Sequence, residues 1–438
     1  MIEILDKYNC CGCSACVSVC PKHCIKMEED NEGFLYPAVN ENNCINCGLC
    51  EKVCNVLYPY ERREPQRVFA AINKDERVRF KSSSGGVFYI LAERIIHNGG
   101  VVFGARFDKN WQVVMDYTED MEGVELFMGS KYVQARIENA YADVKRFLIE
   151  GREVLFSGTP CQVAGLRKFL RKSYENLLTI DFICHGTPSP RVWKIYLEDV
   201  TSRSNIIKSV EFRNKTKGWN NFSFRIKYNE EDKTISMLSP FFQNHYMKAF
   251  LQDITLRPSC YACKAKGGSS HSDITIADFW GINTIYPNMD DDKGTSLVLI
   301  NTKKGNDSLD FTQMNVEETT YDCIKSLNPA YSASAKIHPK RKEFFERLNT
   351  DNIIDLINDC TKPSVRKKIT MIPIKLCALI KRNAKIIIGG GARRIKFDNL
   401  TENVCLNMSL EKNPKIVAVH FRSKYNGWKM YNMEIRLK

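Results

Sequence analysis

Cys10-Cys11-Gly12-Cys13-Ser14-Ala15-Cys16-Val17-Ser18-Val19-Cys20-Pro21 and Cys44-Ile45-Asn46-Cys47-Gly48-Leu49-Cys50-Glu51-Lys52-Val53-Cys54-Asn55 repeat one spacing, C-x2-C-x2-C-x3-C. Three thiols at intervals of three wrap a loop round one face of an iron-sulfur cube, and the fourth points at a second cube. This crossing gives one 4Fe-4S cluster Cys10, Cys13, Cys16 and Cys54, and the other Cys44, Cys47, Cys50 and Cys20. Structural zinc takes four tetrahedral thiolates, usually as two separated pairs, and has no use for three in succession plus a fourth. A disulfide framework belongs to small secreted chains, whereas this chain has 438 residues and opens without a signal-peptide pattern.

Residues 5–58 resemble the two-cluster bacterial ferredoxins. Two departures stand out: Asn55 replaces the proline that usually follows the second run, and Cys11 and Cys24 are surplus to the spacing. The surplus pair reads as buried packing thiols.

At this length two or three domains are expected. The apolar fraction of 43% is that of a globular protein, and no run of eighteen apolar residues occurs to span a membrane. Eighteen cysteines, ten of them before residue 55, together with air-sensitive clusters, point to a reducing cytoplasm. The net charge of +13 is confined to one place. From Thr361 to Lys438, 18 Lys and Arg stand against 4 Asp and Glu, a net of +14, so the rest of the chain carries −1. A basic tail on a near-neutral body does not make a nucleic-acid protein.

After a proline-containing linker, Tyr58 to Pro65, a second domain opens with the buried-strand pattern Arg67 to Ile72. Ser82-Ser83-Ser84-Gly85-Gly86 then precedes a helix from Val87 to His97. Such a loop presents backbone N–H groups at the positive end of the helix dipole, for a phosphate or for nothing more than a good cap. Val101 to Phe107 and Gln112 to Thr118 alternate as strands, and Gln134 to Ile149 reads as a helix. Two strand–turn–helix units follow: Glu153 to Gly158 running into Thr159-Pro160-Cys161-Gln162, and Leu177 to Cys184 running into His185-Gly186 and a helix from Pro190. Turns at the carboxyl ends of strands line the ligand crevice of an α/β sheet. Residues 206 to 237 read as antiparallel strands, so a mixed sheet is expected, and helices at Lys340 to Leu348 and Ile353 to Ile357 close the body.

Cys161, Cys184, Cys260 and Cys263 all sit at strand ends or loops. If they converge, four thiolates would bind a third 4Fe-4S cluster or zinc; otherwise they are separate buried thiols.

Residues from about 67 to 330 resemble the coenzyme F420 hydrogenase/dehydrogenase beta-subunit family, through Ser83-Ser84-Gly85-Gly86-Val87, Gly129-Ser130-Lys131-Tyr132-Val133, Gly158-Thr159-Pro160-Cys161-Gln162, Cys184-His185-Gly186 and Ala277-Asp278-Phe279-Trp280-Gly281. The resemblance implies FAD and 4Fe-4S clusters exchanging electrons. Members fused to a ferredoxin domain, as here, often accompany bacterial polysaccharide genes. It implies that Ser83, Ser84, Gly85, Gly86 and Lys131 serve the flavin phosphates, that Thr159 and Gln162 bond the isoalloxazine edge, and that the four body cysteines hold the third cluster. Lys131 is otherwise a solvated lysine. His185 either donates a proton to substrate or merely caps its turn.

The expectation is therefore a ferredoxin-like two-cluster module (1–58), a mixed-sheet α/β flavin domain (66–360) and a basic tail (361–438). The function expected is an iron-sulfur flavoprotein oxidoreductase acting on an organic substrate, with an electron-carrier protein such as ferredoxin as partner. Two alternatives stay open: a flavin-free electron-transfer subunit, and a tail-anchored scaffold. In the tail, residues 366 to 396 interleave basic and aliphatic side chains, as a segment lying on an anionic membrane does, or one packed on the body. Ile416 to Arg422 and Trp428 to Leu437 flank Asn426-Gly427 as a hairpin.

Overall fold

The computed structural model describes residues 1–201, 206–231 and 233–362, and the backbone of three strands between 404 and 436. The chain divides into two compact units, Met1–Thr361 and Lys362–Lys438.

The cysteine loops of the first unit are joined through a hairpin, β1 (Ile25–Glu29) and β2 (Leu35–Val39). At its tip Asp30 Oδ1 accepts from the N–H groups of Glu32 (3.0 Å) and Phe34 (2.9 Å), and Gly33 takes the positive φ the turn needs. This tight turn drives Phe34, fully buried, into the aromatic core of the body beside Trp193 and Phe345. Arg341 clasps Glu32 at 2.9 and 2.5 Å. The cysteine module is thus seated on the body, and the linker follows suit: Tyr60 stacks on His271 at 4.4 Å, and Arg63 N–H donates to Gly267 O at 3.2 Å.

The body is built on β3 (Arg67–Asn73), β4 (Val101–Phe107), β5 (Val113–Thr118), β6 (Val154–Gly158) and β7 (Leu177–Phe182). Next come β8 (Ile206–Asn214), β9 (Ser223–Glu230) and β10 (Lys233–Pro240), and then β11 (Ile274–Asp278), β12 (Ser296–Ile300) and β13 (Met314–Thr319). Eight of these make one sheet in the order β13-β3-β12-β11-β7-β6-β4-β5. β4, β6, β7 and β11 are mutually parallel, β3 runs with them, and β5, β12 and β13 run against them. The sheet is therefore mixed and covered on both faces. Helices Val87–His97 and Met121–Phe127 pack on one side through Ile90, Leu91 and Val124; helices Ala140–Ile149 and Pro160–Leu170 pack on the other through Val144, Phe147 and Leu166.

Two details differ from the sequence reading. The antiparallel strands at 206–240 do not enter the main sheet but form their own, order β10-β9-β8, whose apolar side covers Trp193, Tyr196 and Tyr246. The helix expected over Gln134 to Ile149 begins only at Ala140. Before it, Gln134 and Arg136 spend their N–H groups on Pro188 O (3.1 Å) and Val113 O (3.0 Å), which a helix could not allow.

In the second unit β14 (Val404–Leu410), β15 (Ile416–Ser423) and β16 (Lys429–Arg436) form an antiparallel meander, which includes the expected hairpin. The basic aliphatic segment 366 to 396 lies outside the described residues. Among the described residues no helix is long and apolar enough to cross a membrane.

Candidate functional site: two thiol-lined cavities and a loop crevice

At the carboxyl end of β6, Thr159 N–H donates to Gln162 Oε1 at 2.9 Å in a capping box, and Pro160 supplies the first helical residue. Cys161 is thereby fixed at the mouth of the sheet. β7 ends at Phe182, and the next turn carries Cys184 and His185. Cys260 rides on the short helical turn Pro258–Ala262, where Thr187 N–H points at its Sγ (3.4 Å), and Cys263 is the extended residue that caps the turn. These four thiols, drawn from three separate stretches, line one cavity. Cys11, His185 and Lys266 line it with them.

Hydrogen bonding to Cys11 together with burial pushes the Cys161 thiol up; burial does the same to Cys184 and Cys260, and takes Cys263 to about 12. Bare thiolates are disfavoured in such a place, and a bound metal replaces their protons with its own charge. Among the described residues no three Cys, His, Asp or Glu side chains stand close enough to grip a single ion. The four thiols line the cavity together, a set of soft sulfur donors that zinc or a four-iron cube could take.

In the N-terminal module Cys20, Cys44, Cys47 and Cys50 line a second cavity, with Cys24 bonded to Cys20 (Sγ to Sγ 3.3 Å). Burial, then the neighbouring Cys10 and Cys54 thiols, pushes Cys16 up to about 12. Cys13 faces helix Pro160–Leu170 at Gly165, where a Cβ would come within 3.0 Å of its sulfur. Only glycine lets that helix approach so closely.

Two segments expected to meet the flavin are brought together. Ser83 Oγ lies 2.8 Å from Ser130 Oγ and accepts from Ser130 N–H at 2.7 Å. Ser84 Oγ donates to Thr295 O (2.8 Å), and Gly85 N–H to Ser296 Oγ (2.9 Å). A Cβ on Gly85 would meet Ala71 O at 2.2 Å, so this glycine is required by strand packing. Gly86, at φ +88°, is the N-cap of the eleven-residue helix Val87–His97 and brings no side-chain acceptor to its first-turn amides. Lys131 Nζ donates to Phe127 O, Met128 O and Gly129 O at 2.9–3.2 Å, which occupies all three of its donors. Burial lowers its pKa to about 7. His185 Nε2 bonds Asp253 Oδ1 at 2.5 Å and packs on the edge of Phe250.

Further residues belong to these sites with little or no sequence signal. Arg257 and Asn55 connect the cysteine loops to the body cavity. Trp219 lies tilted against Trp280, ring centroids 4.7 Å apart, while its Nε1–H reaches Ser83 O (3.2 Å), and the buried Arg213 pairs with Asp278. Of these, Asn55 stands out in the sequence as a departure from proline and Asp278 and Trp280 lie in a quoted motif, whereas Arg257, Trp219 and Arg213 carry no such signal.

Residues 151–322 match the family described as coenzyme F420 hydrogenase/dehydrogenase, C terminus of the beta subunit. Residues 9–57 match the 4Fe-4S dicluster domain. No curated protein matches the chain. Among solved structures, a chain of the F420-reducing NiFe hydrogenase complex from Methanosarcina barkeri, in a xenon derivative, is similar at 19% identity with a TM-score of 0.40. The match covers 67% of this chain and 94% of that one.

Proposed function

This chain joins a 4Fe-4S dicluster domain at residues 9–57 to a domain at residues 151–322 that matches the C terminus of the coenzyme F420 hydrogenase/dehydrogenase beta subunit, and we propose that it is an iron-sulfur flavoprotein oxidoreductase of an organic substrate. Its coarse role, electron transfer by an iron-sulfur oxidoreductase, follows from the two domains together. The observation that carries the finer reading is the convergence of Cys161, Cys184, Cys260 and Cys263 on one cavity beside the cysteine loops.

Cys10, Cys13, Cys16 and Cys54 hold one 4Fe-4S cluster, Cys44, Cys47, Cys50 and Cys20 a second, and the four body cysteines a third. When bound, the clusters supply single electrons and FAD converts them into the pairs that organic substrates take. The protein's own part is to hold and insulate. Lys266, buried and bonded through Nζ to Cys184 O (2.5 Å) and Ala330 O (2.7 Å), offsets negative charge beside Cys184 and Cys263. Thr187 supports Cys260 through its N–H. The first turn of helix Val87–His97, without a side-chain cap, takes the flavin phosphates from the Ser83–Gly86 loop, with Gly129–Lys131 closing one side. Thr159 and Gln162 meet the ring edge, and His185, its Nε2 held by Asp253, passes a proton at the cavity mouth. The link to polysaccharide assembly and the contact of the tail with an anionic membrane rest on the sequence alone.

A second reading, a flavin-free electron-transfer subunit, is favoured by one observation: Lys131 spends its donors on three carbonyls, and Thr159 and Gln162 are engaged with each other. Anaerobic purification followed by cofactor extraction separates the two. The flavoprotein reading expects released FAD and an absorbance that bleaches with dithionite. Protein full of iron that holds no flavin, and takes none up when offered, establishes the carrier instead.

A further inference from the structure

We propose that Asn55 and Arg257 form a reciprocal clamp that fixes the Cys10–Cys54 cluster loop against the Cys161–Cys263 thiol set and so makes the contact for one-electron exchange between them. This rests on the third-cluster reading above. Each residue belongs to one site by sequence and to the other by hydrogen bonding. Asn55 follows Cys54 directly, yet its Nδ2 donates to Cys161 O at 2.9 Å and its Oδ1 accepts from Cys11 Sγ at 3.3 Å. Arg257 opens the turn that carries Cys260, and its carbonyl accepts from Cys260 N–H at 2.9 Å. Its guanidinium reaches the other way, from Nε to Cys10 O at 2.7 Å and from Nη2 to Cys10 Sγ at 3.6 Å.

Both side chains are buried, Asn55 at 4% exposure and Arg257 at 0%. Burying polar groups is costly unless their bonds are made, so the clamp holds the two loops in one arrangement. The remaining bonds of Arg257 go to Leu35 O (2.9 Å) and Gln134 Oε1 (3.1 Å), with no carboxylate among them. A buried cation with only neutral acceptors is an expensive arrangement. It becomes favourable next to a thiolate-bound cluster, whose net negative charge it balances. The exchange moves one electron from one centre to the other, with no bond made and no proton transferred. A fixed charge and an N–H donor at a ligand sulfur favour the more negative, reduced cluster and raise its potential.

The test uses the full-length, anaerobically loaded protein with Asn55→Ala, Arg257→Gln and Arg257→Lys. Electron redistribution among the centres after flash photoreduction is followed without substrate, and the clusters are titrated by electron paramagnetic resonance. At unchanged iron content, Asn55→Ala is expected to slow redistribution at least tenfold. Arg257→Gln is expected to slow it likewise and to lower the potential of one N-terminal cluster, which Arg257→Lys largely restores. Unaltered rates and potentials in fully loaded variants overturn the clamp. Loss of iron in Asn55→Ala and in Arg257→Lys also overturns it, because the residues would then serve assembly alone. A parent protein holding only the two N-terminal clusters would sink the third-cluster reading instead; the potential shift in Arg257→Gln would still be expected.

Discussion

Replacing Phe34 by Ala tests whether the cysteine module is rigidly part of the body. The ring has no exposed surface, lies 6.4 Å from the Phe345 ring, and has the Arg257 guanidinium 5.4 Å from its centroid. Truncating a fully buried phenylalanine costs about 3–5 kcal/mol, the lost transfer energy plus the cavity left behind. Because Phe34 enters the core from a hairpin tip, much of that loss falls on docking of the hairpin rather than on the sheet. At about 1.4 kcal/mol per tenfold change, local opening of the module should rise by roughly two to three and a half powers of ten. Native-state hydrogen exchange reads this directly: the amides of β1 and β2 should lose protection by that factor, while those of β6 and β7 keep theirs. Equal protection of the hairpin in both proteins would refute the docking argument. Equal loss in hairpin and sheet would show instead that the unit opens only as a whole.

Two more outcomes are expected. Asp181 on β7 is buried, its Oδ1 accepting from Ser272 Oγ (2.9 Å) and Thr275 Oγ1 (2.5 Å), and burial pushes its carboxyl from 3.8 up to about 6. A carboxyl raised in the folded state stabilises fully below its unfolded pKa and loses that contribution as pH rises through the folded one. At about 1.36 kcal/mol per pH unit, about 3 kcal/mol disappears between roughly pH 4 and 6. Asp181→Asn should therefore flatten the melting temperature across that window and raise it at pH 7, and an unchanged pH profile would contradict the assignment. For the tail, the full chain should bind anionic vesicles in a salt-sensitive way while a chain ending at Cys360 should not; equal binding by both would dismiss the membrane role.

What the sequence revealed and what it hid divide along one physical line. The ferredoxin spacing is a local pattern, written within eleven residues, and the strand-turn-helix units at Gly158 and Cys184 are nearly as local. Both could be read because chain geometry alone sets which side chains share a face. Arg257 and Cys10 are 247 residues apart, and Asn55 and Cys161 are 106 apart, with no periodicity to announce either contact. Gln134 illustrates the opposite failure. Its segment has helical periodicity, but long-range bonds to Pro188 and the Arg257 guanidinium hold it extended. Lys131 and Gln162 carry contacts that their motifs did not announce: both stand in ligand-like turns, and both also bond to their own backbone neighbourhood. Cys11, read as packing, lines the body cavity and reaches Asn55 and Cys161.

The central claim, that the body cysteines form a third cluster centre fed by the N-terminal module, is tested most directly by counting iron. Anaerobically reconstituted full-length protein should hold about twelve irons per chain, and the Cys260→Ser, Cys263→Ser double variant about eight, with both N-terminal cluster signals intact. About eight irons in the parent, or an undiminished count in the double variant, would contradict it.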